Sequence, residues 1–234
     1  MKPTKMLLML SVLLMAFVGT AAADWRPFVY SYDYMTAYKG EREIEYYLDY
    51  SGGNSNPYAL KHQLEFEYGI TSHWMASIYG VFSQTLNNFS YTQTKIQTRY
   101  RFGQEGGWLV DPAVYLEYKK SSDSAPDVIE GKIIIGKKLG KTSFIFNYVL
   151  EQDQVSGSVL ERAYTLGVSQ FVSPVLRLSL EFKRQAGVLN PENYIIPGFS
   201  LLIKGLKWNV GIGLPASEAA QGKTIARSIF SWEL

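Results

Sequence analysis

From Leu60 to Tyr68 the chain alternates. Leu60, Leu64, Phe66 and Tyr68 share one parity, while Lys61, Gln63, Glu65 and Glu67 share the other. A period of two marks a β-strand whose two faces meet different surroundings. Gly69, Ile70, Thr71 and Ser72 turn the chain, and Trp74, Ala76, Ile78 and Phe82 repeat the apolar parity on the way back. Each run is about ten residues long, enough for a tilted strand to cross a bilayer.

The same alternation recurs along the chain. It is seen in Glu43–Tyr50, Thr92–Phe102, Trp108–Lys119, Val128–Lys137, Lys141–Glu151, Val159–Phe171, Val175–Arg184, Tyr194–Lys204 and Lys207–Leu214. Pro112 lies inside one run, where an irregular ladder is expected. Short turns near residues 40, 70, 105, 139, 173 and 205 alternate with longer polar loops near 54, 88, 123, 155, 188 and 218. Outer-membrane barrels sort their connections in this way, short on the periplasmic side and longer outside. The pattern predicts an all-β protein: a transmembrane antiparallel up-and-down barrel of about twelve strands over residues 39–234.

Alternation alone does not say which face meets lipid, because a soluble lipocalin-like barrel has the faces exchanged. Strand length and strand number favour lipid outside. So do the aromatic residues on the apolar parity at the short-turn ends: Tyr68, Trp74, Tyr100, Phe102, Trp108, Trp208 and Trp232. Such a band is an interfacial girdle. The last strand closes on Phe230, Trp232 and Leu234. Outer-membrane barrels commonly end on an aromatic residue that the barrel-assembly machinery reads, and here Leu234 takes that place.

Composition narrows the classes further. A net charge of +2 gives no footing for nucleic acid. The absence of Cys excludes disulfides and thiolate metal sites. Residues 1–23 read as a secretory signal, with Lys2 and Lys5 before an apolar run and Ala21, Ala22 and Ala23 at the cleavage site. No other apolar run approaches a membrane helix, so a spanning chain must close as a barrel. The expected location is the outer membrane of a Gram-negative-type bacterium.

Residues 24–38 carry Trp25, Phe28, Tyr30, Tyr32 and Tyr34. As a thirteenth strand they would put the N-terminus outside the cell, so topology favours the lumen or one mouth. In role they are either a plug with stacking surfaces or, more plainly, an ordinary strand or packing segment.

The parity opposite the apolar one lines the lumen. Glu43, Glu45, Glu65 and Glu67 fall on adjacent strands near the short-turn end, with Arg99, Arg101, Asp111 and Arg177 at a similar height. Lys95, Glu117, Glu130, Lys132, Glu181 and Lys183 extend the charged lining. A salt-bridged network that closes the lumen is the plainer expectation; a constriction with a transverse field is the functional one. Hydrolysis would need a Ser beside a His. His62 faces lipid between Leu60 and Leu64, His73 lies in a turn, and no G-x-S-x-G occurs. No enzyme, cofactor or metal site is expected.

The stretches GEREIEYYLDY (residues 40–50), EFEYGITSHW (65–74) and DPAVYLEYK (111–119) resemble a family of outer-membrane barrels named after the meta-cleavage pathway of phenol degradation. His73 stands where that resemblance leads one to expect Arg. The resemblance implies a transporter-like barrel and supplies no catalytic or binding residues. The expectation is a passive channel for small solutes, aromatic or apolar ones among them. The alternative is a closed structural or surface-interaction barrel that transports nothing.

Overall fold

The computed structural model describes residues 26–53, 56–185 and 190–234. The expected signal sequence, and Trp25 of the aromatic segment, lie outside the described residues. The chain forms β1 (Arg42–Gly53), β2 (Asn56–Gly69), β3 (Trp74–Gln84), β4 (Phe89–Arg101), β5 (Asp111–Ser121) and β6 (Val128–Leu139). It continues through β7 (Thr142–Asp153), β8 (Glu161–Ser173), β9 (Leu176–Arg184), β10 (Asn193–Ile203), β11 (Leu206–Pro215) and β12 (Lys223–Glu233). Each strand pairs antiparallel with its neighbours in sequence, and β12 closes on β1, with Trp232 opposite Ile44 and Arg227 opposite Asp49. Closure leaves no unpaired sheet edge, which a bilayer would penalise by several kcal/mol per exposed polar group.

The alternation places side chains as the sequence implies. On β2, Leu64 and Phe66 are 54% and 40% exposed, while Gln63 and Glu65, on the other parity, are 4% and 0% exposed. Ile78, Ile96, Leu116, Ile133, Leu178 and Leu180 continue the exposed apolar surface around the barrel. So large a contiguous apolar surface is a lipid-facing one. The buried face is the inner one, and it is largely polar and charged.

Two expectations need correction. The connection between β4 and β5 spans residues 102–110, so Trp108 belongs to it and the strand begins at Asp111. Pro112 therefore sits at the strand's start, where its missing N–H disturbs least, and it stays in register opposite Ile135. The sorting of connections is also less strict than the sequence suggests. Two positions separate β1 from β2, whereas seven or eight separate β7 from β8, β9 from β10 and β11 from β12.

Candidate functional site

The lumen is occupied by the chain's own residues 26–41, which take no regular secondary structure. They are not a thirteenth strand. At the short-turn end, Gly40 N–H donates to the Gly69 carbonyl at 2.8 Å, and the Thr36 hydroxyl donates to the Ser72 carbonyl at 3.3 Å. From there the segment climbs to the row where Asp49 faces Arg227, and then turns back. The Arg26 carbonyl accepts from Asn209 Nδ2 at 2.9 Å. An irregular segment must find wall partners for its backbone groups, because burial leaves it no water.

Four wall residues supply most of them. The Glu181 carboxylate accepts from the N–H groups of Val29 at 2.7 Å, Tyr30 at 3.1 Å and Ser31 at 2.6 Å. Asn147 pairs with both sides of Tyr32, accepting from its N–H at 2.6 Å and donating to its carbonyl at 3.0 Å. Arg99 donates to the carbonyls of Asp33 at 3.0 Å and Met35 at 2.8 Å. Arg227 Nη1 donates to the Val29 carbonyl at 3.2 Å.

The wall is also shaped for the segment's side chains. A Cβ at Gly167 would stand 2.7 Å from Phe28, one at Gly211 would stand 2.7 Å from Val29, and one at Gly136 would overlap the Tyr34 ring. Gly198 opposes Gly211 across β10 and β11, and a Cβ there would stand 3.3 Å from Val29. These inward glycines form a trough in the wall. Phe28, Tyr34 and Met35 pack against Ala113, Tyr115, Ile134 and Ile145. Val29 packs on the opposite side with Tyr47, Tyr79, Val81 and Ile229.

Of the expected lumen charges, those near the short-turn end pair as follows. Arg26, from the segment itself, bonds Glu45 at 3.0 Å and the Tyr47 hydroxyl at 2.6 Å. Lys207 meets Glu43 at 3.1 Å, and Arg99 lies 3.9 Å from Glu67. Glu65 accepts from Tyr47 at 2.8 Å and Gln97 at 2.9 Å. Arg101 turns to the Ser72 carbonyl at 2.9 Å, and Arg177 packs 3.7 Å over the Phe171 ring. Asp111 accepts from Gly106 N–H at 2.9 Å, with Lys137 at 3.6 Å. A cavity of about 50 Å³ remains here, bounded by Arg26, Asp33, Glu43, Glu67 and Arg99. The carboxylates of Glu45, Glu65 and Glu67 come within 4.8 Å of one another, but Arg26, Tyr47 and Gln97 already engage the first two, so the cluster does not read as a metal site.

Higher in the lumen, Lys119 gathers Glu130 at 2.7 Å and Glu151 at 2.6 Å, with Glu117 at 3.7 Å. Lys95 stands 3.8 Å from Glu117. Lys132 bonds Glu130 at 2.5 Å and lies 3.6 Å above the Tyr32 ring. Lys183 lies 4.9 Å from the centre of the Tyr30 ring. The sequence did not single out Arg26, Asn147, Lys119, Lys207 or Arg227. Inward parity marks all but Arg26, whose signal is only its place beside the aromatic run.

On the outer face, Tyr68, Trp74, Tyr100, Phe102 and Trp108 are exposed, and Trp208 stacks on Phe230 with ring centres 5.9 Å apart. Trp232 lies 6.2 Å from Phe230 in the same band. His62 has Tyr46 Oη at 2.6 Å and Gln84 Oε1 at 2.9 Å on its two ring nitrogens, so its partners include no Ser.

No family model matches the chain, and no curated protein sequence is significantly similar to it. Its fold is that of the outer-membrane porins. The KdgM porin, solved in complex with disordered oligogalacturonate, superposes with a TM-score of 0.63 at 11% identity, over 82% of this chain and 99% of that one. The NanC porin gives 0.59 at 11% identity, over 82% and 100%. The translocator domain of the autotransporter NalP from Neisseria meningitidis gives 0.52 at 10% identity, over 84% and 89%.

Proposed function

We propose that this chain is an outer-membrane channel for small solutes whose resting state is closed by its own N-terminal segment. The observation that carries this reading is the contrast between wall and contents. The wall is a complete hydrogen-bonded barrel, and what blocks it is a stretch without regular structure, tied to β2 by backbone bonds at Gly40 and Glu41 and otherwise held mainly by side chains of the wall. Removing residues 24–38 leaves every strand pairing of the wall in place. Delivery by the signal sequence and insertion by the barrel-assembly machinery belong to the same reading.

Lys61 and Lys183, which stand near the tip of the segment and outside the ion pairs described, favour acidic solutes over the apolar ones that the aromatic residues first suggest. The KdgM porin's oligogalacturonate is an acidic sugar chain of the kind such a lining would attract. Recording from the refolded mature chain in planar bilayers, with and without residues 24–38, tests the reading. Low or flickering conductance in the full chain and steady conductance in the deletion support it. A correctly folded deletion that stays silent supports the alternative, a structural barrel. The ion pairs around Lys119 are the observation in favour of that alternative.

A further inference from the structure

The tip of the segment is Tyr30, and it is flanked by cations. Arg227 lies 4.6 Å from its ring centre and Lys183 lies 4.9 Å away. Arg227 is on β12, Asp49 faces it on β1, and Lys61 faces Asp49 on β2. Three adjacent strands thus put two cations and one carboxylate side by side, all on the inward parity. Lys183, from β9, reaches the same tip from the other side of the Tyr30 ring. Asp49 is committed to Arg227 at 2.5 Å and accepts from Gln63 at 2.8 Å. The other carboxylates near the tip are also committed, Glu181 to the N–H groups of Val29, Tyr30 and Ser31 and Glu192 to Lys223. Lys61 and Lys183 therefore stand outside the ion pairs described here, beside an aromatic face, an arrangement suited to an anion that also carries a flat ring or sugar face.

Arg227 has a second duty. Its Nε faces Asp49, and its Nη1 holds the Val29 carbonyl at 3.2 Å, one residue from the tip. An anion that engages this guanidinium competes for the donor that holds the segment.

We propose that Lys61, Lys183 and Arg227 form a carboxylate-binding site built on the tip of the segment, and that filling it draws Arg227 off Val29 and loosens the segment. The proposal rests on the channel reading for its purpose but not for its test. Coupling of this kind requires that the anion bind the loosened state more tightly than the closed one. Competition for one donor supplies that difference.

The chain has no Cys, so a single Ser31→Cys variant reports the segment alone, since Ser31 is fully buried in the closed barrel. The probe is benzene-1,3,5-tricarboxylate, added to the full mature chain in detergent, with sodium chloride at matched ionic strength as control. Binding is followed by calorimetry, and release by the rate at which a thiol reagent labels the cysteine. We expect saturable binding and labelling accelerated by roughly tenfold, the scale set by losing one charge-assisted bond. Lys61→Gln with Lys183→Gln weakens binding by a similar factor and removes the acceleration, while the heat-modifiable mobility of a folded barrel is kept. No binding, or binding that leaves the labelling rate unchanged, overturns the proposal. Neither measurement needs ion flow, so a silent channel with intact coupling would refute the channel reading alone.

Discussion

Glu181 on β9 accepts from the N–H of Val29 at 2.7 Å, across 152 residues of sequence, and it also holds the next two N–H groups. One carboxylate thus fixes the turn of a segment with no regular structure of its own. Hydrogen bonds to a charged group contribute about 1.5–3 kcal/mol each. Glu181→Gln keeps one acceptor oxygen but points an NH₂ group at backbone donors. The variant should raise the labelling rate of Ser31→Cys by about one to two orders of magnitude, the effect of losing one such bond. An unchanged rate would show that Glu181 does not pin the segment.

The glycine trough leads to a second expectation. At Gly167 a side chain would meet Phe28 at 2.7 Å and Ile145 at 2.8 Å, whereas Val suits a strand. Gly167→Val should therefore free the segment while leaving the barrel folded. In the chain lacking residues 24–38, the same substitution should be neutral or stabilising in thermal unfolding. A loss of barrel stability of equal size in both backgrounds would mean that the glycine serves the wall and not the segment.

Arg26 and Glu45 form a buried pair at 3.0 Å, with Tyr47 bonded to both. Removing one partner of such a pair typically costs about 3–5 kcal/mol, because the other charge is stranded. Arg26→Ala should loosen the segment strongly, and adding Glu45→Ala should recover much of the loss. A double-mutant cycle on labelling rates checks this coupling. Strict additivity would contradict it.

How much of this could be read from the sequence varies with the kind of interaction. The two-residue period set the strands, the lipid face and the charged lining, because burial on one face of a strand leaves a mark at every second residue. It also put Glu181 in the lumen. It could not show that Glu181 would bind backbone and not a cation, since N–H groups in an irregular segment carry no sequence signature. The trough was invisible for a related reason: Gly136, Gly167, Gly198 and Gly211 have no side chain to register on either parity. Trp108 misled because an aromatic residue at a membrane interface looks the same in a strand and in the connection beside it. Arg26 sits next to Trp25 and Pro27, and nothing local announces its partner Glu45.

Outside the membrane, Asp127 anchors the loop between β5 and β6. Hydrogen bonds from Lys120 at 2.8 Å and Tyr118 at 2.6 Å hold its carboxyl down at about 2, below the ordinary 3.8. A lowered value favours the ordered loop above the ordinary value, and the contribution is lost as pH falls through about 2. Carboxyl titration by NMR should give a midpoint near 2 in the wild-type chain and a higher one in Lys120→Ala. Equal midpoints would remove Lys120 as the cause.

The central claim is that a sound barrel is shut by a removable piece of its own chain. Single-channel recording of the mature protein against the same protein lacking residues 24–38, both confirmed folded by heat-modifiable mobility, tests it most directly. The account predicts sparse openings in the first and a steady open level in the second. Equal conductance in the two, whether both open or both silent, would contradict it.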